Sequence, residues 1–244
     1  MKILTFNTWG KNGPYQKRFE LISFELSKIN ADTVCLQEVF DAELKDTLIQ
    51  SCGFKHSYEC YPAGLVILSR FSFDKTLTHI YKRVSENEKN GSRAAILIHI
   101  KTKKTAYWIA NTHLSWRPEE NDIRMSQTQE LLKRVNSLNA LSILAGDFNC
   151  EPDSEAVDLL LKKDFAELYG KLNPGKMDFT WDNNRNPYLK THSVIFPNRR
   201  IDLLLIHEKL LARFAAKCCE LVFTKSEPNG IFPSDHFGLC AELL

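Results

Sequence analysis

The chain has 244 residues, 43% hydrophobic and 25% charged, which is the composition of a globular protein with a sizeable core and excludes a disordered chain. Its 32 basic and 30 acidic side chains give a net charge of +2, spread without a long basic cluster, which excludes a surface that tracks an extended nucleic-acid duplex.

The first apolar run starts at Ile3 and is broken at Asn7, so it does not read as a signal peptide. No apolar run is long enough for a transmembrane segment. The seven cysteines are odd in number and contain no Cys-x-x-Cys pair, and several lie in apolar runs. They read as reduced, buried thiols of a cytoplasmic protein.

Residues 2–6 read as a strand ending at Asn7, and residues 11–14 as a loop. Phe19, Ile22, Leu26 and Ile29 recur at spacings of three and four, which predicts an amphipathic helix over Tyr15–Ile29. Residues 33–36 form a short apolar strand that ends in Gln37 and Glu38. A helix with an acidic first turn follows over 41–50, stopped by Gly53. Residues 54–61 and 64–69 read as paired strands around Pro62, 71–84 as extended chain and 85–91 as an exposed polar loop. Residues 93–100 and 106–112 form a hairpin that ends in Asn111-Thr-His113. Pro118 then opens a long helix with Glu119 and Glu120 in its first turn and Leu131, Val135 and Leu138 on its buried face.

The run 141–145 has the apolar density of a strand buried on both faces; it stops at Gly146 and delivers Asp147 and Asn149. Gly-Asp-x-Asn by itself is equally a turn. Residues 153–161 make a short helix, and 170–200 are a proline-rich segment of the kind that builds active-site loops. Strands over 200–206, 214–224 and 237–244 complete the chain, with a loop over 230–235. No linker or repeat divides it, so residues 1–244 read as one α/β domain.

Polar residues gather at the borders of apolar runs: Asn7, Glu38, His113, Asp147, Asn149, Asp235 and His236. Each singly is more often structural; seven together point to one site. Asp202 lies inside an apolar run, where an ionised carboxylate needs a partner, and His236 is the candidate. Carboxylate and amide oxygens suit Mg²⁺ or Mn²⁺, with Glu38 as the best single ligand.

The motifs Asn7-Thr-Trp, Leu36-Gln-Glu-Val39, Asn111-Thr-His-Leu114, Gly146-Asp-Phe-Asn149, Arg200-Ile-Asp-Leu203 and Ser234-Asp-His236 resemble, in order, those of the endonuclease/exonuclease/phosphatase superfamily. The resemblance implies a four-layer α/β sandwich, two mixed β-sheets packed face to face with helices outside. It also implies an Mg²⁺-dependent phosphoester hydrolase. In that frame Glu38 binds the metal, with Asn7 beside it and Asp235 near the metal or its waters. Asp147 orients or deprotonates water, Asn149 holds water or phosphate, and His113 stabilises the transition state. His236, held by Asp202, contacts the scissile phosphate. The resemblance does not single out one general base.

Thr180-Trp-Asp182, Arg124-Met-x-Gln127 and the run 232–238 look most like the tyrosyl-DNA phosphodiesterase branch, although Ser115-Trp-Arg117 and Cys150-Glu-Pro-Asp153 depart from it. The expected substrate is a nucleic-acid end or tyrosyl-type adduct. The alternatives are a sphingomyelinase-like or phosphoinositide-type phosphoesterase and, from another class, an inactive phosphate- or protein-binding module. Trp116, Arg117 and Trp181 are candidate substrate contacts. Arg70, Arg93, Arg124 and Arg200 are candidates both for phosphate contact and for structural ion pairs.

Overall fold

The computed structural model describes residues 1–88 and 91–244. In chain order the strands are β1 (Lys2–Asn7), β2 (Thr33–Gln37), β3 (His56–Cys60), β4 (Leu65–Ser69), β5 (Lys75–Ile80) and β6 (Ala94–Lys101), then β7 (Ala106–His113), β8 (Leu141–Asp147), β9 (Phe165–Glu167), β10 (Asp202–His207), β11 (Ala216–Val222) and β12 (Gly238–Leu243). The helices are α1 (Tyr15–Ile29), α2 (Ala42–Cys52), α3 (Asn121–Asn136), α4 (Glu155–Leu161), α5 (Leu168–Leu172) and α6 (Glu208–Leu211).

Two six-stranded sheets result. The first has the order β11-β12-β1-β2-β4-β3 and the second β5-β6-β7-β8-β10-β9. Each carries one parallel pair near its middle, β1 with β2 and β7 with β8, flanked by antiparallel neighbours. The sheets face each other across a core of β-branched and small residues, including Ile3, Cys35, Ile67, Ile96, Ile109, Ile143 and Leu204. The outer face of the first sheet is covered by α1 and α2 through Phe19, Ile22, Leu26, Leu44 and Leu48. The outer face of the second is covered by α3 and α4 through Leu131, Val135, Val157 and Leu160. This is the four-layer sandwich that the resemblance implied, and strands buried on both faces explain the unbroken apolar runs.

A polar bolt joins the sheets inside this apolar interface. Gln37 Nε2 donates to Asn111 Oδ1 at 2.6 Å, and Asn111 Nδ2 donates to the carbonyls of Leu36 and Val66 at 2.8 and 3.0 Å. Every bond is buried, so a shift of one sheet against the other would strand several polar groups. The bolt therefore fixes the relative position of the β2 and β7 ends.

Some expected boundaries move. The long helix begins at Asn121, not Pro118, because Arg124 reaches back to the carbonyls of Ser115 and Arg117 and holds 117–120 as a turn. Strand β8 does not stop at Gly146 but runs through it. A Cβ at Gly146 would lie 2.1 Å from the Thr112 carbonyl oxygen, so glycine is there for close strand approach. Asp202 opens its strand rather than sitting within it, opposite Asp147 in register. Of the expected exposed loop 85–91, Ser85 is buried and Glu88 is tied down by Ser85 N, Ser115 Oγ and Arg93; Lys89 and Asn90 lie outside the described residues. The short elements β9, α5 and α6 had no expectation. No helix among the described residues is long and apolar enough to cross a membrane.

Candidate active site

The parallel pairs of both sheets end at the same edge of the sandwich. Asn7 pairs with Gln37 at the end of β1–β2, and His113 pairs with Asp147 at the end of β7–β8. A cavity of about 660 Å³ opens over these ends, and Glu38, His113, Asp147, Asn149, Asp235 and His236 all line it. Ligands of α/β folds bind at such carboxyl ends of strands.

The half of the site on the second sheet is densely hydrogen-bonded. Asp147 Oδ1 accepts from the Asn149 N–H at 2.9 Å, and Oδ2 accepts from Asn7 Nδ2 at 3.0 Å. The Nε2 atoms of His113 and His236 stand 3.4 and 3.9 Å from Oδ2. Burial opposes charge on Asp147, but His113, His236 and these hydrogen bonds hold it below the usual carboxylate range. His236 Nδ1 lies 2.8 Å from Asp202 Oδ2, so the expected pair exists. Burial also opposes charge on His236, yet Asp202, Asp235 and Asp147 push its pKa up to about 10. His113 goes the other way: burial and the nearby Arg93 bring it down to about 3. One histidine beside Asp147 is thus an imidazolium and the other a neutral ring. Asn149 donates its Nδ2 to the Leu114 carbonyl at 3.0 Å, which holds it in a left-handed backbone conformation.

The half on the first sheet is poor in donors. Among the described residues the Glu38 side chain receives one hydrogen bond, from Asn7 Nδ2 at 3.1 Å. Its carboxyl is raised above the usual range by burial, then by repulsion from Asp235 and Asp147. Glu38 holds φ at +61°, a costly conformation for a non-glycine residue. Asp235 accepts from Ser234 Oγ at 3.1 Å and lies 3.1 Å from His192 Nε2. Its loop is pinned by Ser234 Oγ to the Asn7 carbonyl and by Asn186 to the Ser234 carbonyl, both at 2.8 Å. Fully buried Arg18 donates to the carbonyls of Thr8, Gly10, Asn12 and Pro233 at 2.6–2.9 Å and clamps the two loops together.

These donors fit a hard divalent cation. Glu38 and Asp235 could supply oxygen ligands, a positive charge would relieve their repulsion, and the cavity gives room for the water that such ions retain. Asp147, Asp202 and His236 also bring ligand-type atoms within 4.8 Å of one another and could hold a metal. There, however, the imidazolium of His236 already balances the carboxylates, so charge favours the Glu38 side.

Of the expected substrate contacts, Trp116 and Trp181 line the cavity, and Trp181 packs edge-on against His236 at 5.1 Å. Arg117 does not line the cavity; its guanidinium carbon lies 5.5 Å from the centroid of the Trp116 ring. Arg70, Arg124 and Arg200 do not line the site. Arg70 donates to the carbonyls of Ala31 and Cys52, both at 3.0 Å, and Arg200 pairs with Glu167 at 2.9 Å under α5. Arg124 is tied to main-chain carbonyls, whereas Arg93 lines the cavity, paired with Glu88 at 2.5 Å. Sequence reasoning missed Trp9, Phe40, Glu88, His192 and Arg199 on the cavity wall, and Arg18 behind it. Trp9 and Phe40 sit in loops beside motif residues, and that adjacency was the one available signal.

Two mixed sheets face to face, with carboxylates, amides and a carboxylate–histidine pair at one shared edge, define a four-layer sandwich with an acid–histidine centre. The model of the Endonuclease/Exonuclease/phosphatase family matches residues 4–236, and the chain belongs to that family. It is 27% identical to Protein angel of Drosophila melanogaster, over 61% of this chain and 48% of that protein. It is 28% identical to a putative neutral sphingomyelinase of the same organism, over 66% and 42%. A probable CCR4-Not complex 3'-5'-exoribonuclease subunit Ccr4 of Vairimorpha ceranae is 26% identical, over 96% and 59%. The chain therefore spans less than two thirds of each of these relatives. Among solved structures it resembles D. rerio TDP2 complexed with single strand DNA product, with a TM-score of 0.84, 17% identity and coverage of 100% and 98%. It also resembles the beta toxin of Staphylococcus aureus, with a TM-score of 0.82, 18% identity and coverage of 99% of each chain. Those likenesses establish the fold.

Proposed function

We propose that the chain is a divalent-metal-dependent phosphodiesterase, served by Mg²⁺ and substitutable by Mn²⁺, that acts on nucleic-acid ends or on aryl adducts of such ends. The observation that carries this reading is the meeting, on one cavity, of the donor-poor Glu38 beside Asp235 with Asp147 and the charged His236–Asp202 pair. Glu38 and Asp235 would hold the cation, which supplies Lewis-acid stabilisation of phosphoryl charge. Asp147, kept ionised, accepts a hydrogen bond from the attacking water and aims it. Asn7 and the Asn149 N–H keep both Asp147 oxygens in place. His236 offers its Nε2–H to a non-bridging oxygen, and Asp202 fixes the ring by holding the proton on Nδ1. Neutral His113 supplies a second donor without adding charge. The Ccr4 subunit and the TDP2 complex with a single strand DNA product support a strand end as substrate.

A second reading is a sphingomyelinase-like lipid phosphodiesterase. The neutral sphingomyelinase relative favours it, as does Phe40, which is 53% exposed on the cavity wall. The test is hydrolysis of bis-p-nitrophenyl phosphate with EDTA, Mg²⁺ or Mn²⁺, followed by end-labelled single-stranded oligonucleotides, a tyrosyl-DNA conjugate and sphingomyelin vesicles. The proposal expects metal-restored turnover and a preference for the oligonucleotides. Turnover that survives exhaustive chelation, or exclusive use of sphingomyelin, refutes it. Absence of turnover on every substrate would leave the inactive binding module.

A further inference from the structure

Arg199 is unlike the other arginines around the cavity. Arg93 is paired with Glu88 and Arg200 with Glu167, while Arg18 and Arg124 donate to main-chain carbonyls. Among the described residues the Arg199 guanidinium has no hydrogen-bonding or ion-pair partner, and its buried Nε is unsatisfied. Yet the residue is firmly held. Its main chain makes both hydrogen bonds of an antiparallel bridge with Trp181, at 2.9 and 3.0 Å. Its guanidinium carbon stacks 3.7 Å from the Phe196 ring centroid and 5.4 Å from that of Trp181. Arg199, Phe196, Trp116 and Trp181 line the same wall of the cavity. Burial lowers the Arg199 pKa, and the largest effect that offsets this is the charge of Asp147. A planar cation fixed on an aromatic ring, with its donors turned to a cavity and no acceptor, is prepared for an anion brought in by the substrate.

We propose that Arg199 binds a second phosphate of the substrate, next to the scissile one, and so selects a nucleotide strand over an isolated phosphodiester. The inference rests on the phosphodiesterase reading and deepens it. A strand is favoured over a polyphosphorylated lipid headgroup because the half-buried Trp116 indole stands on the same wall, where a base can stack beside the bound phosphate. The scissile group itself is already surrounded by Glu38, His113, His236 and Asn149.

Two reporters test this: the p-nitrophenyl ester of thymidine 5′-phosphate, with one phosphate, and the p-nitrophenyl ester of 5′-phosphorylated trithymidylate, with two more. Wild type is expected to favour the longer ester through KM. Arg199→Met keeps an apolar stem on Phe196 and is expected to cut that preference roughly tenfold or more, with kcat on the longer ester little changed. Arg199→Lys should recover part of it. Binding of phosphorothioate trithymidylate, followed by calorimetry across a salt series, should lose about 0.7 from its log–log slope in Arg199→Met. A preference that survives in Arg199→Met with an unchanged slope overturns the inference. Equal losses on both esters also overturn it, since they place Arg199 on the scissile phosphate or in the fold. So does a loss confined to phosphoinositide vesicles. If wild type turns over neither ester with Mg²⁺ or Mn²⁺, the phosphodiesterase reading fails, and the binding series still decides what Arg199 holds.

Discussion

The two sheets furnish the two halves of the site in opposite electrostatic conditions. On the second sheet, Asp147 has both oxygens occupied by amide donors and lies between a charged and a neutral histidine. On the first, Glu38 has a single amide donor and two carboxylate neighbours. On the proposed reading the first half calls for a cation, whereas Asp147 in the second is already held by hydrogen bonds. Preorganised dipoles do chemistry without reorganising, whereas like charges held together store repulsion that a bound ion releases.

The largest effect should come from the donor-poor half. Glu38→Gln removes a metal oxygen and a charge, and we expect kcat/KM to fall on the order of 10³-fold or more. Because the folded state disfavours ionised Glu38, the same change should leave Tm in EDTA unchanged or raise it. A drop of several degrees in calorimetry would mean that Glu38 supports the fold instead.

On the second half, His236→Ala and Asp202→Asn should each cost about 10²- to 10⁴-fold in kcat. The double variant should cost far less than the product of the two, since the residues act as one unit. Multiplicative losses in steady-state kinetics would separate them. Unlike Glu38→Gln, Asp202→Asn should also destabilise, because it leaves a buried imidazolium unpaired.

The pH behaviour of the two histidines should be opposite. His236, raised to about 10, adds stability that is complete below its unfolded value near 6.5 and is lost as pH rises from there through about 10. His113, brought down to about 3, costs nothing above about 6.5 and takes stability away as pH falls below it. His236→Gln should therefore flatten the alkaline limb of a Tm–pH curve, and His113→Gln the acid limb. By NMR neither ring should titrate between pH 5 and 8. A midpoint in that interval for either residue would break the proposed division into one charged and one neutral ring.

The smallest kinetic effects should come from Arg70→Met and Arg200→Met. Each leaves buried or half-buried acceptors unpaired and should cost about 1–3 kcal/mol of stability. Neither should change KM. A KM rise in either variant would return that arginine to the substrate path.

The centre of this site was legible because it lies at strand ends. An apolar run that closes on a carboxylate, amide or histidine shows in the sequence, and the parallel pairs bring four such ends, Asn7, Glu38, His113 and Asp147, to one edge. Asp202 was legible as a charge in an apolar run that needed a partner. The surrounding wall was not. Arg18 lies on a helix face and acts through carbonyls, and carbonyls leave no mark in a sequence. Glu88 and His192 come from segments without periodicity. Arg199 and Arg200 show the limit most clearly: successive residues of extended chain point to opposite sides. Without the Trp181–Arg199 bridge to set the register, the arginine under α5 could not be told from the one facing the cavity.

Asp235 and His236 immediately precede β12, which lies between β11 and β1 inside the first sheet. The site is thus complete only with the segment before β12 in place. The second sheet sets Asp147 and Asp202 in register, but it contains neither Asp235 nor His236. β12 also covers the β1 edge of the first sheet, so the same segment that carries Asp235 and His236 closes that edge. If the proposed function holds, closing the first sheet around β12 and becoming competent to cut are one and the same event.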